Sequence, residues 1–240
     1  MTDLTSAGDR ASLATPAPPR PSARNQQHSL AGVLADPRMR LAAGTAVLLV
    51  TAMAAHRDRV SPWEATAFRA VNGLPDSLYR PAWAVMQLGT LGAAPAAAGA
   101  AWLSGDRQLA GRLLVGGTAT WALSKLVKRM VRRPRPAILL PDTHRRGRDA
   151  AGLGYLSGHA GVVVALGAAA LPRLGPAGRA LTLSAIPAVS LTRIYVGAHL
   201  PLDTAGGAAL GLAIDAALAL AQEHARPSHG SSPHLPVSRR

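Results

Sequence analysis

A run of thirteen residues, 191–203, places Arg193, His199 and Asp203 in a stretch that is otherwise apolar. Ionisable side chains are costly there unless they face a polar cavity or one another, so they mark a candidate functional site. His199 and Asp203 lie four residues apart. On a helix that spacing stacks them on one face, where the carboxylate can hold one ring nitrogen and leave the other free as a nucleophile. Arg193 adds a permanent cation with five donors in a fixed fork, a geometry suited to phosphate or carboxylate. A core histidine satisfied by a nearby aspartate is the plainer reading of these residues on their own.

Two groups upstream shift that balance. Lys128 and Arg135 are seven positions apart, and Pro134 and Pro136 between and after them stop a helix and push their neighbours extended. The two cations can therefore curl round one anion, although a basic cluster touching lipid phosphates would look similar. Ser157, Gly158 and His159 open a later apolar run. A hydroxyl and a glycine amide at a helix N-terminus make a cradle for an anion, and His159 is placed to deliver a proton. A serine N-cap and a helix-entry glycine explain the first two residues but not a histidine entering lipid.

The elements that must position these groups read as helices of a membrane protein. Of 240 residues, 48% are hydrophobic and 16% charged, and the charges crowd between long uncharged windows. The windows at 41–55, 81–104, 109–127, 155–172, 180–198 and 200–222 make six candidate spans. The second is uncharged over 24 residues, roughly 36 Å of helix. Residues 56–80 read as interfacial helices carrying Trp63 and Phe68. The expected architecture is all-α: a six-helix transmembrane bundle over 39–222 with its active-site loop at about 128–159. Disordered basic tails, 1–38 and 223–240, flank it, the histidines of the second being solvated.

The N-terminal tail, the turns at 105–108 and 172–179 and the C-terminal tail share one side of such a bundle and all carry arginine, which makes that side cytoplasmic. The 129–154 loop then faces outward although it is the most basic of all, so its cations need a specific task. Arg132 and Arg133 read as head-group contacts. His144, Arg145, Arg146 and Arg148 read as a solvated loop that can also help capture an anion. Asp215, within the sixth span, receives no role. The net charge of +14 is almost entirely arginine, with no basic stripe interleaved with aromatics, so anionic lipid rather than nucleic acid is the expected partner. Absence of cysteine excludes disulfides, thiol catalysis and cysteine metal sites.

Lys, six residues, Arg-Pro; then Ser-Gly-His; then Arg, five residues, His, three residues, Asp: this order resembles the phosphatase signature of the type 2 phosphatidic acid phosphatase superfamily, which also includes the vanadium haloperoxidases. The resemblance runs from about the second span to the end of the sixth. It implies that His199 attacks phosphorus to form a phosphohistidine, that Asp203 orients it, and that His159 protonates the leaving oxygen. Lys128, Arg135, Ser157, Gly158 and Arg193 would clamp the phosphoryl oxygens, with no metal and no cofactor. Leu156 stands where the family usually has proline and Thr192 where serine is usual.

Taken together, the residues and the resemblance imply a multi-pass cell-membrane phosphatase with its site on the outer face and its termini in the cytoplasm. It would hydrolyse a phosphomonoester or diphosphate on a lipid, such as a prenyl diphosphate, phosphatidic acid or phosphatidylglycerophosphate. A lipid phosphotransferase would use the same phosphohistidine, and a catalytically impaired lipid-phosphate binder is the reading that Leu156 favours. A chloroperoxidase would be expected to carry more soluble bulk. Oligomeric state is not indicated. Because the chain lacks cysteine, Thr143→Cys supplies one thiol in the outward loop. It should react with an impermeant thiol reagent on intact cells, and labelling only after lysis would reverse the orientation.

Overall fold

The structure is a computed structural model that describes residues 36–56, 59–148 and 151–225. Regular structure among these residues is entirely helical: α1 (Pro37–Ala55), α2 (Pro62–Asn72), α3 (Tyr79–Met86), α4 (Ala93–Leu103), α5 (Arg107–Val131), α6 (Pro136–Leu139), α7 (Gly158–Ala170), α8 (Pro176–Tyr195) and α9 (Pro201–His224). Single 3₁₀ turns occupy Asp76–Leu78, Gln87–Gly89 and Leu171–Arg173. The helix starts follow local chemistry. Asp36 caps α1 by accepting from the Arg38 amide, Asp106 caps α5 by accepting from the Leu109 amide, and proline occupies the first turn of α1, α2, α6, α8 and α9.

α9 is the axis of the bundle and packs against α1, α7 and α5, while α7 also contacts α5 and α8, and α4 leans on α5. Small residues at the helix contacts permit close approach of the backbones. Gly211 of α9 lies directly against the Gly161 carbonyl of α7, and Gly207 against the Ser157 carbonyl, so a side chain at either position would overlap backbone. A tighter apolar core, built from Ala94, Ala98, Leu109, Leu113, Val162 and Leu166, joins α4, α5 and α7. Outward, Leu49, Val50, Met53, Leu103, Leu126 and Leu181 are exposed, an apolar surface that suits lipid rather than water. α1 and α9 are long and apolar enough to cross a membrane.

Two expectations change. The uncharged window 81–104 is not one helix. It breaks after α3 at Gln87–Gly89 and restarts at α4. Gly89 packs beneath α7, where a Cβ would come within 2.5 Å of the His159 carbonyl oxygen, and Pro95 lacks the amide that a continuous helix would bond to residue 91. The segment 56–80, expected as interfacial helices, is packed into the bundle on one side. In α2, Trp63 is exposed but Phe68 is 1% exposed, packed on Ala65, Leu140, Ile194 and Leu200, so the helix lies across one end of the bundle. Nearly all of the tails expected at 1–38 and 223–240 falls outside the described residues.

The two ends of the bundle differ. At one, Arg40 of α1 and Arg112 of α5 both bond the carboxylate of Asp215, buried in α9, and Arg173 reaches Asp106 at 3.4 Å across the two basic turns. The other end gathers the candidate catalytic groups. Gly211→Leu should separate α9 from α7 and destabilise the protein by roughly 1–3 kcal/mol. A lower melting temperature in detergent is the readout, and an unchanged one would contradict the packing.

Candidate active site

Four chain segments bring the three sequence groups to that end. α5 delivers Lys128 in its last turn and stops at Val131. Arg132 takes a left-handed conformation (φ 57°) there, and Pro134 and Pro136 carry the chain back with Arg135 extended. Ser157 caps α7, its hydroxyl oxygen accepting from the Ala160 amide at 3.4 Å, and His159 follows in the first turn. Arg193 stands in the last turn of α8 and Asp203 in the first turn of α9.

His199 is not on a helix, contrary to the shared-face expectation. Pro201 starts α9 and Leu200 is its N-cap, so His199 lies in the preceding turn, and Asp203 accepts the Leu200 amide at 2.8 Å. The pair still meets. His199 Nδ1 lies 3.6 Å from Asp203 Oδ2, an ion-pair distance longer than a hydrogen bond, and its Nε2 lies 3.1 Å from Arg135 Nη1. A guanidinium can only donate, so Nε2 is the acceptor and the ring proton sits on Nδ1, towards the carboxylate. This tautomer leaves the Nε2 lone pair pointed into the cations.

The cations there are bonded mainly to backbone. Lys128 Nζ donates to the Leu153 and Gly154 carbonyls, and Arg135 to the carbonyls of Ala151, Gly152 and Ala198, and among the described residues neither bonds a carboxylate. Arg193 touches the Met86 sulfur and keeps its Nε buried without a hydrogen-bond partner. Burial first, and then the charges of Lys128, Arg193 and Arg135, hold the His199 imidazole well below its ordinary pKa, so the ring is neutral at physiological pH. All three sequence groups therefore converge: the cations and His159 lie close enough to His199 to act on it. Buried cations without counterions are costly, and a bound anion would relieve that cost. The Ser157 amide is spent on the Asp203 carbonyl at 2.8 Å, leaving its hydroxyl hydrogen and the Gly158 amide as the donors of that turn.

Sequence reasoning missed the support behind Asp203. Arg133, expected among head groups, is 0% exposed, and its Nη1 donates to both Asp203 Oδ1 and Glu64 Oε1 at 3.0 Å, while Nη2 donates to Glu64 Oε2 at 2.7 Å. Glu64, also fully buried, accepts the Leu202 amide at 3.1 Å as well. The available signal was the spacing of Glu64 and Phe68, which puts the acid on the core face of α2. Arg146 is likewise committed, to Asp76, to the carbonyls of Asn72, Leu74 and Tyr195, and stacked over the Tyr195 ring. His144 is pinned to Asn72 through its backbone. Leu156, the departure from the usual proline, is fully buried beside Ala55, Tyr155 and Leu210.

The arrangement defines a class: a helical bundle that holds a buried imidazole, a carboxylate beside it and a group of cations at one end. The family model of the PAP2 superfamily matches residues 109–226, a segment that contains all eight candidate site residues. In fold, the chain is similar to the crystal structure of a transmembrane PAP2 type phosphatidylglycerolphosphate phosphatase from Bacillus subtilis. The TM-score is 0.61 at 16% identity, over 79% of this chain and 98% of that one. No curated protein sequence matches the chain.

Arg133→Gln would leave the Glu64 and Asp203 carboxylates buried together without a counterion. Losing one partner of a buried pair costs about 3–5 kcal/mol, so the melting temperature in detergent should fall by far more than for Arg132→Gln at the exposed neighbour.

Proposed function

We propose that the protein is an integral membrane phosphatase that hydrolyses a phosphomonoester or diphosphate on a lipid through a phosphohistidine at His199. The observation that carries this reading is a buried histidine whose Nε2 meets the Arg135 guanidinium, with Lys128 and Arg193 close by and none of the three bonded to a carboxylate among the described residues. A phosphoryl group binding to Arg135, Lys128 and Arg193 would land beside that nitrogen. Phosphoryl transfer depends mainly on positioning and on neutralising the oxygens, which three cations and the Ser157–Gly158 donors can supply.

In the first step Nε2 forms a bond to phosphorus as the bond to the leaving oxygen breaks, and His159 gives that oxygen a proton. The imidazole, now phosphorylated and cationic, is stabilised through Nδ1–H by Asp203. In the second step water attacks the phosphohistidine, giving its proton to His159, and inorganic phosphate leaves with His199 neutral again. We place the protein across the membrane several times, with the site on the outer face and the termini cytoplasmic. The position of the basic turns at 105–108 and 172–179, at the end opposite the site, supports that orientation.

Purified protein in detergent should release phosphate from a lipid phosphate in the presence of EDTA. His199→Ala should abolish turnover, and His159→Ala should lower kcat about 10²–10⁴-fold. Loss of activity on chelation would overturn the mechanism, and binding without turnover would mark an inactive lipid-phosphate binder. Because the active form of His199 is the neutral one and its pKa is depressed, the acid limb of kcat/KM should lie well below about 6.5, the ordinary imidazole value, once substrate ionisation is accounted for. Lys128→Ala removes one depressing charge and should move that limb to higher pH.

A further inference from the structure

Arg133 divides its donors unevenly between two buried carboxylates. Nη2 goes to Glu64 Oε2 at 2.7 Å, and Nη1 is shared at 3.0 Å between Glu64 Oε1 and Asp203 Oδ1, while Nε has no hydrogen-bond partner among the described residues. Asp203 therefore holds the guanidinium by one oxygen. Its other oxygen accepts the Leu200 amide at 2.8 Å and lies 3.6 Å from His199 Nδ1. All three side chains are 0% exposed, so water cannot take a vacated place.

Glu64 also acts directly on α9. Leu200, the N-cap, has no side-chain oxygen to receive the first amides of the helix, and Pro201 has no amide to offer. The Leu202 amide comes next, and Glu64 Oε1 accepts it at 3.1 Å. A side chain of α2 thus caps α9. Phe68, one turn further along α2, packs on Leu140, Ile194 and Leu200 and anchors the helix that presents the carboxylate.

These bonds set up a competition. A guanidinium favours both oxygens of one carboxylate as a fork. With Glu64 in place Arg133 has its fork there, and Asp203 keeps one oxygen for Leu200 and His199. Remove the charge of Glu64, and Asp203 is the remaining carboxylate paired with Arg133 among the described residues. A forked pair between those two would turn the second oxygen away from the Leu200 amide and from His199.

We propose that Glu64 is a positioning residue for the reaction at His199: by occupying Arg133 it keeps one oxygen of Asp203 turned towards the imidazole. This rests on the phosphatase reading. It makes α2, outside the 109–226 segment, part of the catalytic apparatus. Glu64 acts through Arg133 and α9, so its loss should slow the chemical step and leave capture of the phosphate by Lys128, Arg135 and Arg193 intact.

The test uses the full chain in detergent as unmodified protein, Glu64→Gln, Glu64→Gln/Arg133→Gln and Asp215→Asn. The last removes a buried carboxylate that serves two arginines at the far end and controls for lost stability alone. Turnover is measured on whichever of phosphatidic acid, phosphatidylglycerophosphate and a prenyl diphosphate the unmodified protein hydrolyses fastest. Glu64→Gln should lower kcat at least tenfold, while the affinity for orthophosphate by calorimetry stays within threefold. The double variant also removes the competing guanidinium and should be at least fivefold faster than Glu64→Gln. Asp215→Asn should lower the melting temperature and leave kcat within threefold. An unchanged kcat in Glu64→Gln, orthophosphate affinity falling in step with kcat, a double variant no faster than the single, or an equal loss in Asp215→Asn overturns the proposal. If Glu64→Gln does not fold, the same measurements are read on Glu64→Asp, which keeps the charge but shortens its reach and should lose at least threefold in kcat.

Amide hydrogen exchange supplies an arm that needs no turnover. Turning Asp203 towards Arg133 frees the Leu200 amide, so its exchange should quicken at least tenfold in Glu64→Gln, slow again in the double variant and stay unchanged in Asp215→Asn. Equal protection in Glu64→Gln and the unmodified protein overturns the proposal whether or not any lipid is hydrolysed. The expected pattern in a protein that hydrolyses none of the three lipids would sink the phosphatase reading and leave Glu64 as the residue that sets the orientation of Asp203.

Discussion

Asp203 has two carboxylate oxygens and three claimants, and the catalytic end of the molecule is assembled around that shortage. One oxygen takes the Arg133 guanidinium, while the other takes the Leu200 amide and faces His199. The group is 0% exposed, so water can replace none of these partners. Arg133, equally buried, needs a second anion, which Glu64 supplies from α2. Two carboxylates and one guanidinium leave a net single negative charge behind the imidazole, while Lys128, Arg135 and Arg193 stand in front of it. The ring lies across that gradient, its proton on the negative side and its lone pair on the positive side. Glu64 lies outside the 109–226 segment, so the superfamily region does not contain everything that holds its own aspartate.

The sequence was most legible where chemistry and hydropathy conflict. A histidine, an arginine and an aspartate inside an apolar run require a reason, and the order and spacing of Lys128, Arg135, Ser157, His159, Arg193, His199 and Asp203 supplied one. What it obscured was conformation at the boundaries. Four-residue spacing suggested a helix face for His199 and Asp203, but Pro201 begins the helix between them and turns the shared face into a capping interaction. The uncharged window 81–104 looked like one crossing because hydropathy does not register a close contact such as Gly89 against the His159 carbonyl. Arg133 looked like its neighbours in a basic cluster. Its different fate depends on a carboxylate sixty-nine residues away, which no local pattern encodes.

The far end repeats the same economy with opposite sign. There a single buried carboxylate, Asp215, serves two arginines, one from α1 and one from α5. Between the ends, contact depends on glycine at 161, 207 and 211, so the spacing of α7 and α9 is set by backbone and cannot drift as it could with flexible side chains. His199, Asp203 and the Ser157 turn all hang from these two helices. Rigidity of the apolar middle thereby becomes precision at the polar rim.

α1 packs mainly on α9 and is tied to it by Arg40 and Asp215, 175 residues apart. As the chain emerges from the ribosome, α4, α5 and α7 can already pack on one another, but the first described helix lacks its main partner until α9 has been made. A nascent chain stalled before residue 215 would leave Arg40 without its carboxylate and the seam between α1 and α9 unformed, so closure of that side is the last step of assembly.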